Sequence, residues 1–327
     1  MEFTRRRLLS GVAATVSTGM LAGCTGDGST AGSDSGGTAA QASFFVFGEI
    51  SARVAGDTAE ADLLVPIGQH GHGWEPGPGV RQDIRDADLF VHGMTGFQPW
   101  VDDIRGDLEA DDTDVRTVDV SAGLDLLEPG GGHEDEGEDH DGEDGHDHGH
   151  GTDPHFWMDP LRVKEATGNV RQGYVDADPD NADVYADNAE EFRSALDGLH
   201  ERIETTVRDA SKDVILVAGH DSLQYFSDRY GIAVEALTDV SPDDRPTLQD
   251  IERAQEVVET HDLQYICADP LEPQQAAEQI RDETSVEEIL PLTAMPGLTD
   301  EWDSEGWGYI EIMENANLPT LERALDA

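Results

Sequence analysis

The 327-residue chain carries 71 acidic against 20 basic residues, a formal net charge of −51. Self-repulsion on that scale is tolerable where salt screens it, since the Debye length falls to about 3 Å near 1 M. The composition therefore reads as halophilic and excludes a nucleic-acid partner. It also excludes most single Asp and Glu residues as site candidates, leaving only those placed by a motif.

The first segment runs Arg5-Arg6-Arg7, then small and apolar residues from Leu8 to Gly23, then Cys24. It is too short for a stop-transfer helix and reads as an export signal over residues 1–23. Leu21-Ala22-Gly23-Cys24 resembles a lipobox and the arginines resemble a twin-arginine signal, as in exported haloarchaeal lipoproteins. Cys24 is then the lipidated residue that anchors the protein at the extracytoplasmic face of the membrane. Residues 24–41 are rich in Gly, Ser, Thr and Ala and are expected to form a flexible tether. The other cysteine, Cys267, sits in Tyr265-Ile266-Cys267-Ala268 and reads as a buried strand residue, so no intrachain disulfide is expected.

Beyond the tether, about 285 residues remain, enough for two domains with ordinary cores. Phe44-Phe45-Val46-Phe47, Ala87 to His92, Val115 to Val120, Val214 to Ala218 and Tyr265-Ile266-Cys267 read as strands separated by helical stretches. That alternation predicts an α/β fold with parallel sheets. The N-terminal lobe is placed at 42–180 and the C-terminal lobe at 212–327. Between them, in 181–211, Phe192, Leu196, Leu199, Ile203 and Val207 recur at helical spacing. They predict one amphipathic helix from Tyr185 to Asp209. At 1.5 Å per residue it spans nearly ~40 Å and suits a rigid connector of two lobes.

Within the first lobe, residues 130–152 hold the tract His133 to His150, which interleaves five histidines (His133, His140, His146, His148 and His150) with nine carboxylates and four glycines. It has nothing with which to bury a core, but its imidazoles are suited to zinc, copper or nickel, so it reads as an accessory metal loop. Three further histidines stand in positional contexts. His72 lies in Pro66-Ile67-Gly68-Gln69-His70-Gly71-His72-Gly73-Trp74-Glu75-Pro76, after the apolar run Leu63-Leu64-Val65. His155 lies in Asp153-Pro154-His155-Phe156-Trp157-Met158-Asp159-Pro160, just past the acidic loop. His220 directly follows the run Val214 to Ala218 and Gly219. Ligands of open α/β sheets bind beyond the carboxyl ends of strands, and three imidazoles from distant parts of the chain make a zinc site with a fourth position free.

These segments resemble the ZnuA/TroA family, the metal-binding solute-binding proteins of zinc and manganese ABC importers. The resemblance rests on Pro66, Gly68, His72, Glu75 and Pro76; on Ala87-Asp88-Leu89; on Asp153 to Pro160 in full; on His220-Asp221, Tyr225 and Tyr230-Gly231; and on Tyr309 to Met313 with Asn317-Leu318. It spans about residues 44 to 327. It implies two parallel-sheet lobes joined by a long helix, with His72, His155 and His220 holding the metal in the cleft between them. It also implies limited closure, delivery to an ABC permease with its ATPase, and no enzymatic activity. The His-rich insertion implies zinc, with manganese as the alternative. Many relatives supply a fourth carboxylate ligand where this chain reads Leu290 to Gly297 without one, which leaves Asp300, Glu301, Asp303 or water to complete the site. His70 and His92 are read as supporting or surface residues. The protein is expected to be a monomer. Two rivals are a metal-chelate or siderophore receptor, and an extracytoplasmic zinc hydrolase with Glu75 as its base. The turn formed by Pro76 and the neighbouring glycines argues against that base.

Overall fold

A computed structural model describes residues 37–130, 151–241 and 244–327. The export signal, Cys24, most of the tether and the five loop histidines lie outside the described residues.

The first lobe runs β1 (Ala39–Ala42), α1 (Phe45–Ala55), β2 (Glu60–Leu63), α2 (Pro78–Arg85), β3 (Leu89–His92), α3 (Pro99–Ala110) and β4 (Arg116–Asp119). Its strands are all parallel, in the order β2-β1-β3-β4. A short 3-10 turn, Phe156–Met158, leads into α4 (Pro160–Ala177), and α5 (Ala182–Asp209) follows. The second lobe runs β5 (Val214–His220), α6 (Gln224–Tyr230), β6 (Ala233–Thr238), α7 (Leu248–His261), β7 (Tyr265–Ala268), α8 (Gln275–Glu283) and β8 (Glu288–Pro291). Its parallel sheet has the matching order β6-β5-β7-β8. The chain closes with α9 (Asp300–Glu305), α10 (Tyr309–Ile312), one π-helical turn over Met313–Asn317, and α11 (Leu318–Ala324).

Two expectations change. Phe44 to Phe47 is not a strand: Phe45 opens α1, where Val46, Phe47, Ile50, Ser51 and Val54 form its buried face. A four-residue apolar run does not distinguish a buried strand from a buried helix, and the continuation at Ile50 and Val54 decides for the helix. The real first strand is Ala39–Ala42, whose first three residues composition places in the tether. Small side chains suffice there because β1 is sandwiched between β2 and β3. Strands β2, β6 and β8 escape detection for a different reason. They are edge strands with exposed or half-buried positions, so they carry no continuous apolar run.

Helix α5 is 28 residues long, about 42 Å at 1.5 Å per residue. Tyr185, Ala189, Phe192, Leu196, Leu199 and Ile203 line its buried face. It packs on α1 and α4 in the first lobe and on α10 and α11 in the second. One apolar cluster therefore runs through both lobes, from Ala40 and Phe44 to Leu321 and Leu325. Smaller clusters cover the outer faces of each sheet, around Ile104 in one and Val258 in the other.

Candidate metal centre

Both sheets have their change of winding direction at equivalent places, between β1 and β3 and between β5 and β7. The crevice outside the carboxyl ends of those strands is where doubly wound folds place ligands. His220 is the last residue of β5 and is 5% exposed. His155 ends the loop before the 3-10 turn and is fully buried. His72 is half-buried in the loop after β2. Among the described residues, these three form the one group of three or more potential metal ligands, with donor atoms all within 4.8 Å of one another.

The Nε2 atoms of His155 and His220 are 3.3 Å apart. Two nitrogens bound to a tetrahedral zinc at 2.0–2.1 Å lie roughly 3.3 Å apart, so this pair already has the spacing of a zinc edge. The His72 ring stacks on His155 at 5.1 Å and stands 6.0 Å from His220. It is walled by Phe44 at 5.5 Å and Phe97 at 4.9 Å, both edge-on.

Carboxylates fix which nitrogen faces inward on two of the rings. Asp153 Oδ1 accepts from His155 Nδ1 at 2.8 Å and from the His155 backbone N–H at 2.9 Å. Glu272 Oε1 lies 2.8 Å from His220 Nδ1. With Nδ1–H donated to a carboxylate, each ring presents a neutral Nε2 to the centre, as metal-ligating histidines do. Burial favours the neutral form of His72 and His155. Burial, then the nearby imidazoles His155, His70 and His220, push the His72 pKa well below the ordinary histidine value. Burial also lowers His155, although Asp153 pulls the other way. Burial opposes ionisation of Glu272, but its contacts with His220 and His70 overcome that and hold the carboxyl down at about 2.

The motif around His155 also joins the lobes. Asp159 accepts from the Leu161 N–H at 2.9 Å and so caps α4. Its other oxygen pairs with Arg162 at 2.7 Å and with Arg229, on α6, at 2.6 Å. Trp157 Nε1 donates to the Ala294 carbonyl at 2.7 Å, and Tyr309 Oη donates to the Trp157 carbonyl at 2.6 Å. Tyr225 Oη donates to the Asp153 carbonyl at 2.7 Å.

The stretch Leu290 to Gly297 has a role other than supplying a carboxylate. Gly68 and Gly71 donate their N–H groups to Leu298 and Pro296 carbonyls, each at 2.7 Å, tying the His72 loop to the second lobe. Gly71 must lack a side chain, because a Cβ would meet the Phe44 ring at 2.7 Å and Pro296 O at 2.8 Å. Asp300, Glu301 and Asp303 are exposed on α9 and stand outside the three-histidine group. Glu75 is exposed as well. His92 is buried rather than on the surface, with Nδ1 on the Gly93 carbonyl at 2.7 Å, and is not part of the group. His70 does border the site, its ring 5.2 Å from His72. Glu272 was not foreseen. In a chain with 71 acidic residues a lone glutamate carries no signal, although its place just after β7, the inner strand beside β5, could have singled it out.

The fold and the centre define a two-lobed metal-receptor class: paired parallel sheets on a common helix, with imidazoles from both lobes converging in the cleft. Residues 41–324 match the family described as ZnuA, zinc-uptake complex component A, periplasmic, and the chain belongs to that family. It is similar to the high-affinity zinc uptake system protein ZnuA of Bacillus subtilis, with 29% identity over 309 residues, 94% of each chain. It is 30% identical to the zinc-binding lipoprotein AdcA of Streptococcus pneumoniae over 283 residues, spanning 86% of this chain and only 55% of that protein. The manganese-binding lipoprotein MntA of Halalkalibacterium halodurans shows 26% identity over 94% of both chains. The crystal structure of the Zn(II)-bound ZnuA-like domain of Streptococcus pneumoniae AdcA superposes with a TM-score of 0.73 at 26% identity, covering 89% of this chain and all of that one.

Proposed function

We propose that His72, His155 and His220 hold one zinc ion between the lobes of this solute-binding component of an ABC importer, and that the loaded protein delivers it to the permease and its ATPase. The observation that carries the reading is the 3.3 Å approach of Nε2 atoms from opposite lobes, each aimed by its own carboxylate. Binding then bridges the cleft, and the permease distinguishes loaded from empty receptor by how the lobes sit. Three neutral imidazoles with a fourth position for water favour zinc over manganese, which prefers oxygen donors. The family is a transport component, and the tethering of the His72 loop across the cleft suits capture and release of an ion.

The tract with His133, His140, His146, His148 and His150 would collect zinc weakly outside the cleft. Cys24 would carry the lipid that holds the protein at the membrane after twin-arginine export, and the charge of −51 suits a salt-rich exterior. The test is calorimetric titration with zinc and with manganese, on the intact chain and on a form lacking residues 133–150. One tight zinc site that survives the deletion supports the cleft centre. Loss of all tight binding with the deletion would assign the metal to the tract instead.

A further inference from the structure

A cavity of about 940 Å³ opens beside the centre. His70, Glu272 and His220 are among its walls, together with Trp74, Arg245 and Leu271, whereas His72 and His155 do not line it. His70 and Glu272 thus stand between this opening and His220's contact with His155 in sequence of neighbours: Glu272 touches His70 on one side and His220 on the other.

Those two side chains are arranged as metal donors. Glu272 Oε1 lies 3.6 Å from His70 Nε2 and 2.8 Å from His220 Nδ1. His70 Nε2 is shielded from solvent and makes no hydrogen bond. The His70 ring accepts the His72 backbone N–H at Nδ1 over a long 3.4 Å. A contact of that length gives way at little cost to the tautomer that frees the Nε2 lone pair. The chain also keeps space for the carboxylate: a Cβ on Gly219 would meet Glu272 Oε2 at 2.6 Å. His220 is common to both places, with Nδ1 toward Glu272 and Nε2 toward His155.

We propose that His70 and Glu272 form an outer station for the divalent cation, occupied on the way to and from the three-histidine centre, with His220 as the imidazole bordering both. This rests on the reading that the centre binds zinc. One nitrogen and one carboxylate leave the ion most of its water, so the station binds weakly and exchanges fast. Its use is kinetic. It lets the ion lose water in steps, instead of entering the three-imidazole centre fully hydrated in one.

The test is stopped-flow mixing of the full chain with zinc, followed by tryptophan fluorescence, since the Trp157 ring lies 5.3 Å from that of His155. Dissociation is read by chasing with a strong chelator. In His70→Ala both association and dissociation should slow by about tenfold, within the range that local charge and steering give to on-rates. Glu272→Gln keeps an acceptor for His220 Nδ1–H while removing the charge, and should slow both steps in the same way. Glu272→Asp should restore part of the rate. Association as fast as wild type in both His70→Ala and Glu272→Gln would overturn the station. So would faster dissociation in His70→Ala, which would make His70 a ligand of the centre itself. If His155→Ala still bound zinc as tightly as wild type, the centre itself would be misassigned and the station would fall with it, an outcome the rates alone cannot mimic.

Discussion

The two lobes repeat one strand order, yet they bring the proposed metal ligands to the cleft by different means. The second lobe uses the strand itself: His220 terminates β5 at the carboxyl end of the sheet, and its partner Glu272 comes from the loop after the neighbouring inner strand. The first lobe uses neither strand end for its ligands. His72 and His155 come from loops, one tied down by backbone bonds from Gly68 and Gly71, the other by the fully buried Asp153. Its rings are set among Phe44, Phe97 and Trp157, while the second lobe's ring faces the open cavity. A parallel sheet guarantees a place for one ligand at its switch point. Additional ligands need loops, and loops need aromatic packing and buried hydrogen bonds to hold still.

The largest break in this comparison comes from removing a ligand from either side. His155→Ala and His220→Ala should each weaken zinc binding by more than about a hundredfold, the upper end of what losing a mere supporting partner costs. The measurement is competition with a zinc chelator. Equal, severe losses from both lobes would show that the ion bridges them. A severe loss from one alone would place the metal within that lobe. Occupancy should also stabilise the fold, by about 2.7 kcal/mol at zinc a hundredfold above its dissociation constant, and stripping the metal with chelator should lower the melting temperature accordingly.

Asp153 comes next, because the first lobe depends on it. Asp153→Ala leaves the His155 Nδ1 and backbone N–H without their acceptor in a fully buried place. Loss of such a partner typically reduces metal affinity by about 10- to 100-fold. A chelator titration showing wild-type affinity would mean that packing against Trp157, not the carboxylate, orients the ring.

Acidification sharpens the contrast further. The pKa values of His72 and His155 are both lowered by burial, so these rings stay neutral below the ordinary imidazole value of about 6.5. At these two rings protons therefore compete poorly with zinc just below that pH, and affinity should fall less steeply through it than for three free imidazoles. Stability of the metal-free protein also falls with acid. Between the unfolded value near ~6.5 and the lower folded values, the unfolded chain binds more protons, so stability falls as pH drops through that window. Zinc titrations and urea melts across a pH series check both signs. An affinity that falls as steeply as three free imidazoles would give would show that His72 and His155 are more hydrated than their burial implies.

How much of this was readable beforehand follows the same division between strands and loops. The central strands β3, β5 and β7 announce themselves because both faces are buried and the residues are apolar in succession. Helix α5 does so through its stripe of Phe192, Leu196, Leu199 and Ile203. Strand β1 does not, since Ala39–Ala42 offers nothing bulky, and the edge strands β2, β6 and β8 lack a continuous apolar run, whereas edge strand β4 was legible through Val115, Val118 and Val120. In the site, His72, His155 and His220 are legible because each sits in a distinctive local pattern. Glu272 depends on spatial neighbours 52 residues before it, at His220, and 202 before it, at His70. No local pattern encodes such a meeting, and the abundance of acid residues hides it.

Trp157→Phe should cost stability more than affinity. The indole N–H spans the lobes to the Ala294 carbonyl, and its loss leaves that acceptor buried and unpaired at a cost of about 1–3 kcal/mol. The urea midpoint should fall, with zinc affinity less affected than in Asp153→Ala.

The ionic tie between the lobes is expected to matter least. Arg229 is 34% exposed along its side chain, whereas Asp159 is fully buried. Truncating Arg229 does not strand that carboxylate, because Arg162 and the Leu161 N–H still hold it. With one of several partners gone and solvent able to reach the vacated position, Arg229→Ala should cost about 1 kcal/mol or less. Asp159→Ala is the informative counterpart: it removes the α4 cap and leaves two guanidinium groups without their common acceptor, one of them, Arg162, only 9% exposed. Loss of a buried partner of that kind costs about 3–5 kcal/mol. If the two substitutions instead proved equal in a urea melt, the charge pair across the lobes, and not the anchoring of α4, would be what Asp159 contributes, and the first lobe would depend on the second for the placement of His155.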